Sequence, residues 1–153
     1  MLMDLHVREV FFTDDGWPVV SPERYTGSAE HAFRSVDLAG EWEVIVIEEP
    51  PLERQLEVDQ VLWGEGELRQ NEPAVSVSVT ALADGTAEYE GSSLAWSFDA
   101  ERQQLTVDAG ETGNVSLKVF AGHDWENEAE TILFTGLDRQ GHSVWGKKVS
   151  SER

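Results

Sequence analysis

Val75-Ser76-Val77-Ser78-Val79-Thr80 alternates three valines with three hydroxyl residues. A period of two puts the valines on one face and the hydroxyls on the other, the signature of a half-buried strand. Asp84-Gly85 then turns this strand into Ala87-Glu88-Tyr89. Downstream, Leu94, Trp96 and Phe98 alternate with Ala95, Ser97 and Asp99, and the reversal Asp99-Ala100-Glu101-Arg102 leads to Leu105 and Val107. After a loop at Gly110–Asn114, Val115, Leu117 and Val119 alternate again, and Ile132 with Phe134 forms the next inward pair. Asp138-Arg139-Gln140-Gly141 turns the chain into Ser143–Lys147.

Upstream of the quoted stretch, Glu41–Ile47 reads as a strand with Trp42, Val44 and Val46 on one face and Ile45 and Ile47 on the other, ended by Pro50-Pro51. Leu56, Val58 and Val61-Leu62-Trp63 read as a less regular strand pair. From Val36 to Val149 the pattern therefore holds eight or nine short strands with almost no helical period. Short hairpin turns between successive strands give a meander, so the expected fold is all-β: an antiparallel up-and-down, lipocalin-like β-barrel. Gly40-Glu41-Trp42 at its opening is similar to the start of lipocalin barrels. Ahead of the barrel, Val7–Phe12, the turn Asp14-Asp15-Gly16 and Trp17-Pro18-Val19-Val20 read as a β-hairpin, with glycine supplying the positive φ that a tight reversal needs. The expected division is 1–35 for hairpin and connector, with one helical turn across Ser28–Phe33, 36–149 for the barrel, and 150–153 as a tail.

Six tryptophans and six phenylalanines in 153 residues fit a β-rich core with aromatic packing. The formal charge of −19, from 30 acidic against 11 basic residues, repels phosphate backbones and anionic lipid, which argues against nucleic acid and membrane surfaces as partners. Three lysines against eight arginines fit both a salt-adapted surface and ordinary secreted-protein acidity. Without cysteine there is no disulfide, thiolate metal site or cysteine nucleophile, and the redox compartment stays open. The start Met1–His6 shows no basic segment followed by an apolar one, and thus no secretion signal, so localisation is open.

No catalytic, cofactor or metal site is expected. Asp14-Asp15 and Glu48-Glu49 are adjacent carboxylates that turn chemistry and solvation explain. His6, His31, His123 and His142 are scattered without ligand spacing, and no nucleophile elbow, phosphate loop or dinucleotide fingerprint is present. Two tryptophans invite a binding role: Trp63 and Trp125 lie in strand-end or loop contexts where an indole can stack on a sugar face, with Asp124, Glu126 and Asn127 beside Trp125 as hydroxyl partners. The competing reading is that each caps an end of the barrel core. Trp42, Trp96 and Trp145 lie within strands and read as packing residues.

Two blocks carry a resemblance. Asp14-Asp15-Gly16-Trp17-Pro18-Val19-Val20 followed by Ser21-Pro22-Glu23-Arg24-Tyr25 resembles the segment that closes the catalytic propeller of glycoside hydrolase family 43 endo-arabinanases. Asp124–Asn127, Leu133–Asp138, Gly141 and Val144–Val149 are similar to the C-terminal lipocalin-like barrel of two-domain members. The resemblance implies a non-catalytic accessory domain of an arabinan-degrading enzyme whose catalytic carboxylates and metal site lie in a propeller upstream, outside this sequence. The chain is then a fragment, a split gene product or a stand-alone protein. Its implied partner is a catalytic β-propeller of the same or a neighbouring polypeptide, met through Val10, Phe12, Trp17 and Val19, with arabino-oligosaccharide as a further partner and no cofactor. The parent family is commonly extracellular. The rival readings are a stand-alone carbohydrate-binding barrel and a barrel holding a small apolar ligand. A wide, dry interior would favour the latter.

Overall fold

The computed structural model describes residues 6–27, 31–47, 74–110 and 113–149. Ten strands are present among them: β1 (Val10–Phe12), β2 (Pro18–Val20), β3 (Gly40–Ile47), β4 (Val77–Ala81), β5 (Thr86–Tyr89), β6 (Ser92–Asp99), β7 (Gln104–Asp108), β8 (Asn114–Asp124), β9 (Ala129–Leu137) and β10 (Ser143–Lys148). Strands β3 to β10 pair antiparallel in sequence order, and β10 closes back onto β3. The fold is thus all-β, a closed eight-stranded meander preceded by the two-stranded sheet β1–β2. Closure removes the free sheet edges that a strand-rich chain would otherwise present.

The alternating patterns become the inner wall. Trp42, Val44, Val79, Leu94, Trp96, Leu105, Leu117, Val119, Phe134 and Val144 all belong to one core cluster or pack against it. The quoted valine stretch is shorter as a strand than the sequence indicates. β4 begins at Val77, and Val75 lies ahead of it at 78% exposure. The pair around Leu56 and Trp63 lies outside the described residues.

One end of the barrel is stoppered. A 3₁₀ turn at Ser35–Leu38 lays Leu38, 1% exposed, across the opening, and Trp42 Nε1–H donates to the Leu38 carbonyl at 2.9 Å. Of the expected helical turn across Ser28–Phe33, residues 28–30 lie outside the described residues and His31–Phe33 are not helical. The turn falls instead at Ser35–Leu38, where the Asp37 carboxylate accepts the N–H of the capping residue Arg34 at 2.8 Å. Phe33 joins the barrel core and is clamped from the β6–β7 turn, its N–H donating to Gln103 Oε1 at 2.8 Å. Aromatic rings fill this end because β10 leaves room. The Phe134 ring lies where a side chain on Gly146 would stand, and stacks at 5.1 Å on Trp42.

Away from the stopper the described residues leave a cavity of about 610 Å³, with a floor of Trp42, Trp96, Leu117 and Phe134 and walls of valines and alanines.

Candidate functional site

The hairpin β1–β2 is held against the outside of the barrel at β8–β9. Its turn is closed by Thr13 N–H to the Trp17 carbonyl at 2.9 Å, and Gly16 takes φ +83° in the three residues between. The register then pairs Phe11 with Val19, Val10 with Val20, and Phe12 with Pro18. Directly opposed residues in an antiparallel pair share a face. Phe11 and Val19 accordingly point at the barrel, where Phe11 meets Phe120 at 4.5 Å and Val19 is 5% exposed. Thr135 Oγ1–H, fully buried, donates to the Val20 carbonyl at 2.7 Å. The face beneath Phe11 is apolar because β8 turns Phe120 outward while Val119 points in.

The opposite face of the hairpin is apolar and exposed: Val10 is 53% exposed and Phe12 69%. Trp17, next to the turn, is 65% exposed. Of the four residues expected to meet a partner, the structure leaves Val10 and Phe12 exposed on the outer face and Trp17 exposed beside the turn, and turns Val19 inward against the barrel. Position along the chain did not separate them, but the register set by the Thr13–Trp17 closure does.

The second candidate cluster surrounds the β8–β9 turn. Asp124 is 2% exposed, and both its carboxylate oxygens are committed. Oδ1 accepts the Glu126 N–H at 3.0 Å, the Asn127 N–H at 3.3 Å and Lys147 Nζ at 3.1 Å, while Oδ2 accepts Asn127 Nδ2 at 2.7 Å. Asp124 and Asn127 therefore spend their polar groups on the turn itself. Trp125, 42% exposed, carries the Arg24 guanidinium over its ring at 4.4 Å and the His123 ring at its edge at 4.7 Å. The structure brings Asp124, Trp125 and Asn127 into one turn, and Trp63 lies outside the described residues.

Lys147 is the charge that sequence reading passed over. It lies outward on β10, half-buried, with Asp124 and Glu126 each at 3.1 Å, Glu23 at 3.8 Å and Glu43 at 4.0 Å. Burial pushes its ammonium toward lower pKa, but the bonds from Glu126 and Asp124 outweigh this and hold it above the ordinary lysine value. Burial likewise raises Asp124, and the bonds from Asn127, Lys147 and the turn N–H groups overcome it, so its carboxyl lies below the usual value. Burial dominates at Glu23, which is raised despite Lys147. No signal local to Glu23, Asp124 or Lys147 announces the cluster, since three separate segments meet there. Among the described residues no group of three or more His, Asp or Glu side chains is arranged to hold a metal ion.

A closed eight-stranded meander, stoppered at one end and bearing a hairpin on its outer wall, defines the class of lipocalin-like β-barrels. A family model for the C-terminal lipocalin-like domain of glycoside hydrolase family 43 enzymes matches residues 22–146, and the chain belongs to that family. No curated protein matches it. Among solved structures, the glycoside hydrolase family 43 YxiA protein from Bacillus licheniformis aligns with TM-score 0.70 at 19% identity, covering 97% of this chain and 28% of that one. The endo-1,5-alpha-L-arabinanase from Thermotoga petrophila RKU-1, in complex with TRIS, aligns with TM-score 0.70 at 20% identity over 95% of this chain and 29% of that one. Another structure of that enzyme gives TM-score 0.69 at 20% identity, with 94% and 28% covered. These likenesses establish the fold. The chain spans under a third of the length of each of these proteins.

Proposed function

We propose that this chain is the non-catalytic accessory domain of an arabinan-degrading family 43 glycosidase, and that it packs against the catalytic β-propeller through the outer face of its hairpin. The observation that carries this reading is the exposure of Val10 and Phe12 on a strand pair whose other face is already spent on the barrel, with Trp17 exposed beside its turn. Leaving three large apolar side chains in water on a firmly held surface costs free energy that a partner recovers on contact. The length of the matched proteins beyond this domain supports a partner on the same polypeptide. The partner is the propeller, on the same or a neighbouring polypeptide.

The test mixes the 153-residue chain with a family 43 propeller expressed without its own C-terminal region and follows association by sedimentation. A complex that weakens about tenfold or more on Phe12→Asp or Trp17→Asp supports the interface, and a complex indifferent to both substitutions rejects it. Release of reducing sugar from linear arabinan by the pure chain would end the non-catalytic reading. Arabino-oligosaccharide contact at Trp125 is the weaker reading, since Asp124 and Asn127 are tied to each other and Arg24 covers the indole.

A further inference from the structure

We propose that Asn114 is an acceptor for N-linked glycosylation, taking an oligosaccharide from a lipid-phosphate carrier at a membrane-bound oligosaccharyltransferase. Asn114-Val115-Ser116 is an Asn-x-Ser triplet with no proline at its centre, the pattern such transferases require. The chain holds three asparagines, and Asn71-Glu72-Pro73 and Asn127-Glu128-Ala129 both lack the hydroxyl residue. A triplet of this kind also arises by chance, so its surroundings in the fold decide whether it can act.

Asn114 opens β8, and alternation sets both functional members of the triplet on the outer wall. Val115 packs toward the barrel core, so Asn114 and Ser116 point outward on either side of it, and both are exposed. Neither side chain has a hydrogen-bond partner among the described residues. Asn127 shows the alternative, since its carboxamide is tied to Asp124 at 2.7 Å and would have to be freed before it could react. The flank of the acceptor is open as well. β8 pairs with β7 from Asn114 onward, with Asp108 opposite, whereas its pairing with β9 begins only at Ser116. Asn114 therefore has a strand beside it on one side alone, at the end of the β7–β8 hairpin. A transferase can reach it by drawing out the first residues of one strand, without opening the middle of a sheet. Outside the strand, Asn114 and Ser116 border a groove between the Thr13–Trp17 turn and the barrel wall, where Thr13, Gln104 and Gln140 offer polar groups to a first sugar.

In the transfer, Asn114 Nδ2 forms a bond to C1 of the first sugar. The C1–O bond to the lipid phosphate breaks, the phosphate leaves with the electron pair, and Nδ2 gives up one proton. Nothing is oxidised or reduced, and Ser116 Oγ is recognised without being consumed. The acceptor lies on the barrel wall, so the proposal stands independently of what meets the hairpin.

The test expresses the 153-residue chain behind an added signal peptide in a eukaryotic host, beside a control glycoprotein carrying an Asn-x-Ser triplet. Chain is recovered from the secretory membranes and from the medium. Intact-mass spectrometry is expected to show one glycan per chain, and peptide mapping to place it on Asn114. An amidase that cuts glycans from asparagine should remove it and leave an aspartate at that position. Asn114→Gln and Ser116→Ala are each expected to abolish the addition, whereas Ser116→Thr retains it. Retention in the threonine variant separates loss of the recognition hydroxyl from loss of the fold, and native near-ultraviolet circular dichroism checks each variant. A chain of unmodified mass beside a glycosylated control overturns the proposal. So does a glycan on any other residue, or one that persists in Ser116→Ala.

Discussion

At the stoppered end of the barrel Trp42, Trp96, Leu117, Phe134 and Leu38 lie against one another, whereas the walls beyond them are built from Val44, Val79, Ala87, Val107 and Val115. Both sets come from the same alternating strands and both point inward. The difference is volume per side chain, and its location tells which part of the barrel is scaffold. The aromatic end joins the ends of the strands to the 3₁₀ turn, while the valine and alanine walls enclose a space they do not fill. A similar division runs across the outer wall, where one hairpin face is spent on the barrel and the other is bare.

The comparison breaks most sharply on Phe134→Ala. If the aromatic end is the scaffold, this substitution leaves a void beside Trp42 and costs about 3–5 kcal/mol by urea unfolding. Val107→Ala in the cavity wall is expected to cost under about 1 kcal/mol, because the side chain already borders the cavity. Equal costs would erase the distinction.

Lys147→Met comes next and probes the outer wall. It strands the buried Asp124 carboxylate without its cation, so a loss of about 3 kcal/mol is expected near neutral pH. The pH dependence follows from the shifts. Asp124 titrates below its unfolded value, so its contribution is present above that value and is lost as pH falls through the folded one. Lys147 titrates above its unfolded value, so its contribution is present below that value and is lost as pH rises through the folded one. Glu23 has the opposite sign to Asp124: its raised value subtracts stability once ionised and relieves it on acidification. The contribution of Asp124 should therefore be lost in the carboxylate titration range and that of Lys147 in the lysine range, whereas Lys148, held below the ordinary lysine value by burial, runs the other way. Lys147→Met should abolish the alkaline limb attributable to this group, as unfolding measured across pH will show.

Thr135→Val isolates the attachment of the hairpin. It removes the bond to the Val20 carbonyl, and a cost of about 1 kcal/mol is expected. Faster hydrogen exchange should be confined to 10–20. The smallest effects belong to the exposed residues of the hairpin. Phe12→Ser and Trp17→Ser in the chain alone should change stability by less than about 0.5 kcal/mol, since neither side chain is buried there. A larger loss by thermal unfolding would mean that these residues pack on the chain itself.

Much of the barrel was legible because burial on one side forces a period of two. Trp42 with Val44, Leu94 with Trp96, and Leu117 with Val119 could be assigned inward from alternation alone, and the short turns at Asp84-Gly85 and Asp138–Gly141 dictated neighbouring strands. The candidate sites were less legible. Asp124 and Asn127 look like free polar groups beside Trp125 until the turn geometry shows that they bond to each other. Val19 looks like a companion of Val10 and Phe12 until the turn register turns it to the other face. Phe33, read as connector, proves to be core because Gln103, seventy residues away, clamps its backbone.

By itself the sequence determined an all-β meander, the hairpin ahead of it, a strongly acidic surface and the family resemblance, because alternation, turn residues and charge are local properties of the chain. Only the tertiary structure decided that the barrel is stoppered by Leu38, that the described residues beyond Trp42 enclose a cavity, that Lys147 gathers carboxylates from separate segments, and which hairpin residues stay exposed. Those outcomes depend on closure and register, which set the distance between residues far apart in sequence, and no local pattern encodes that distance.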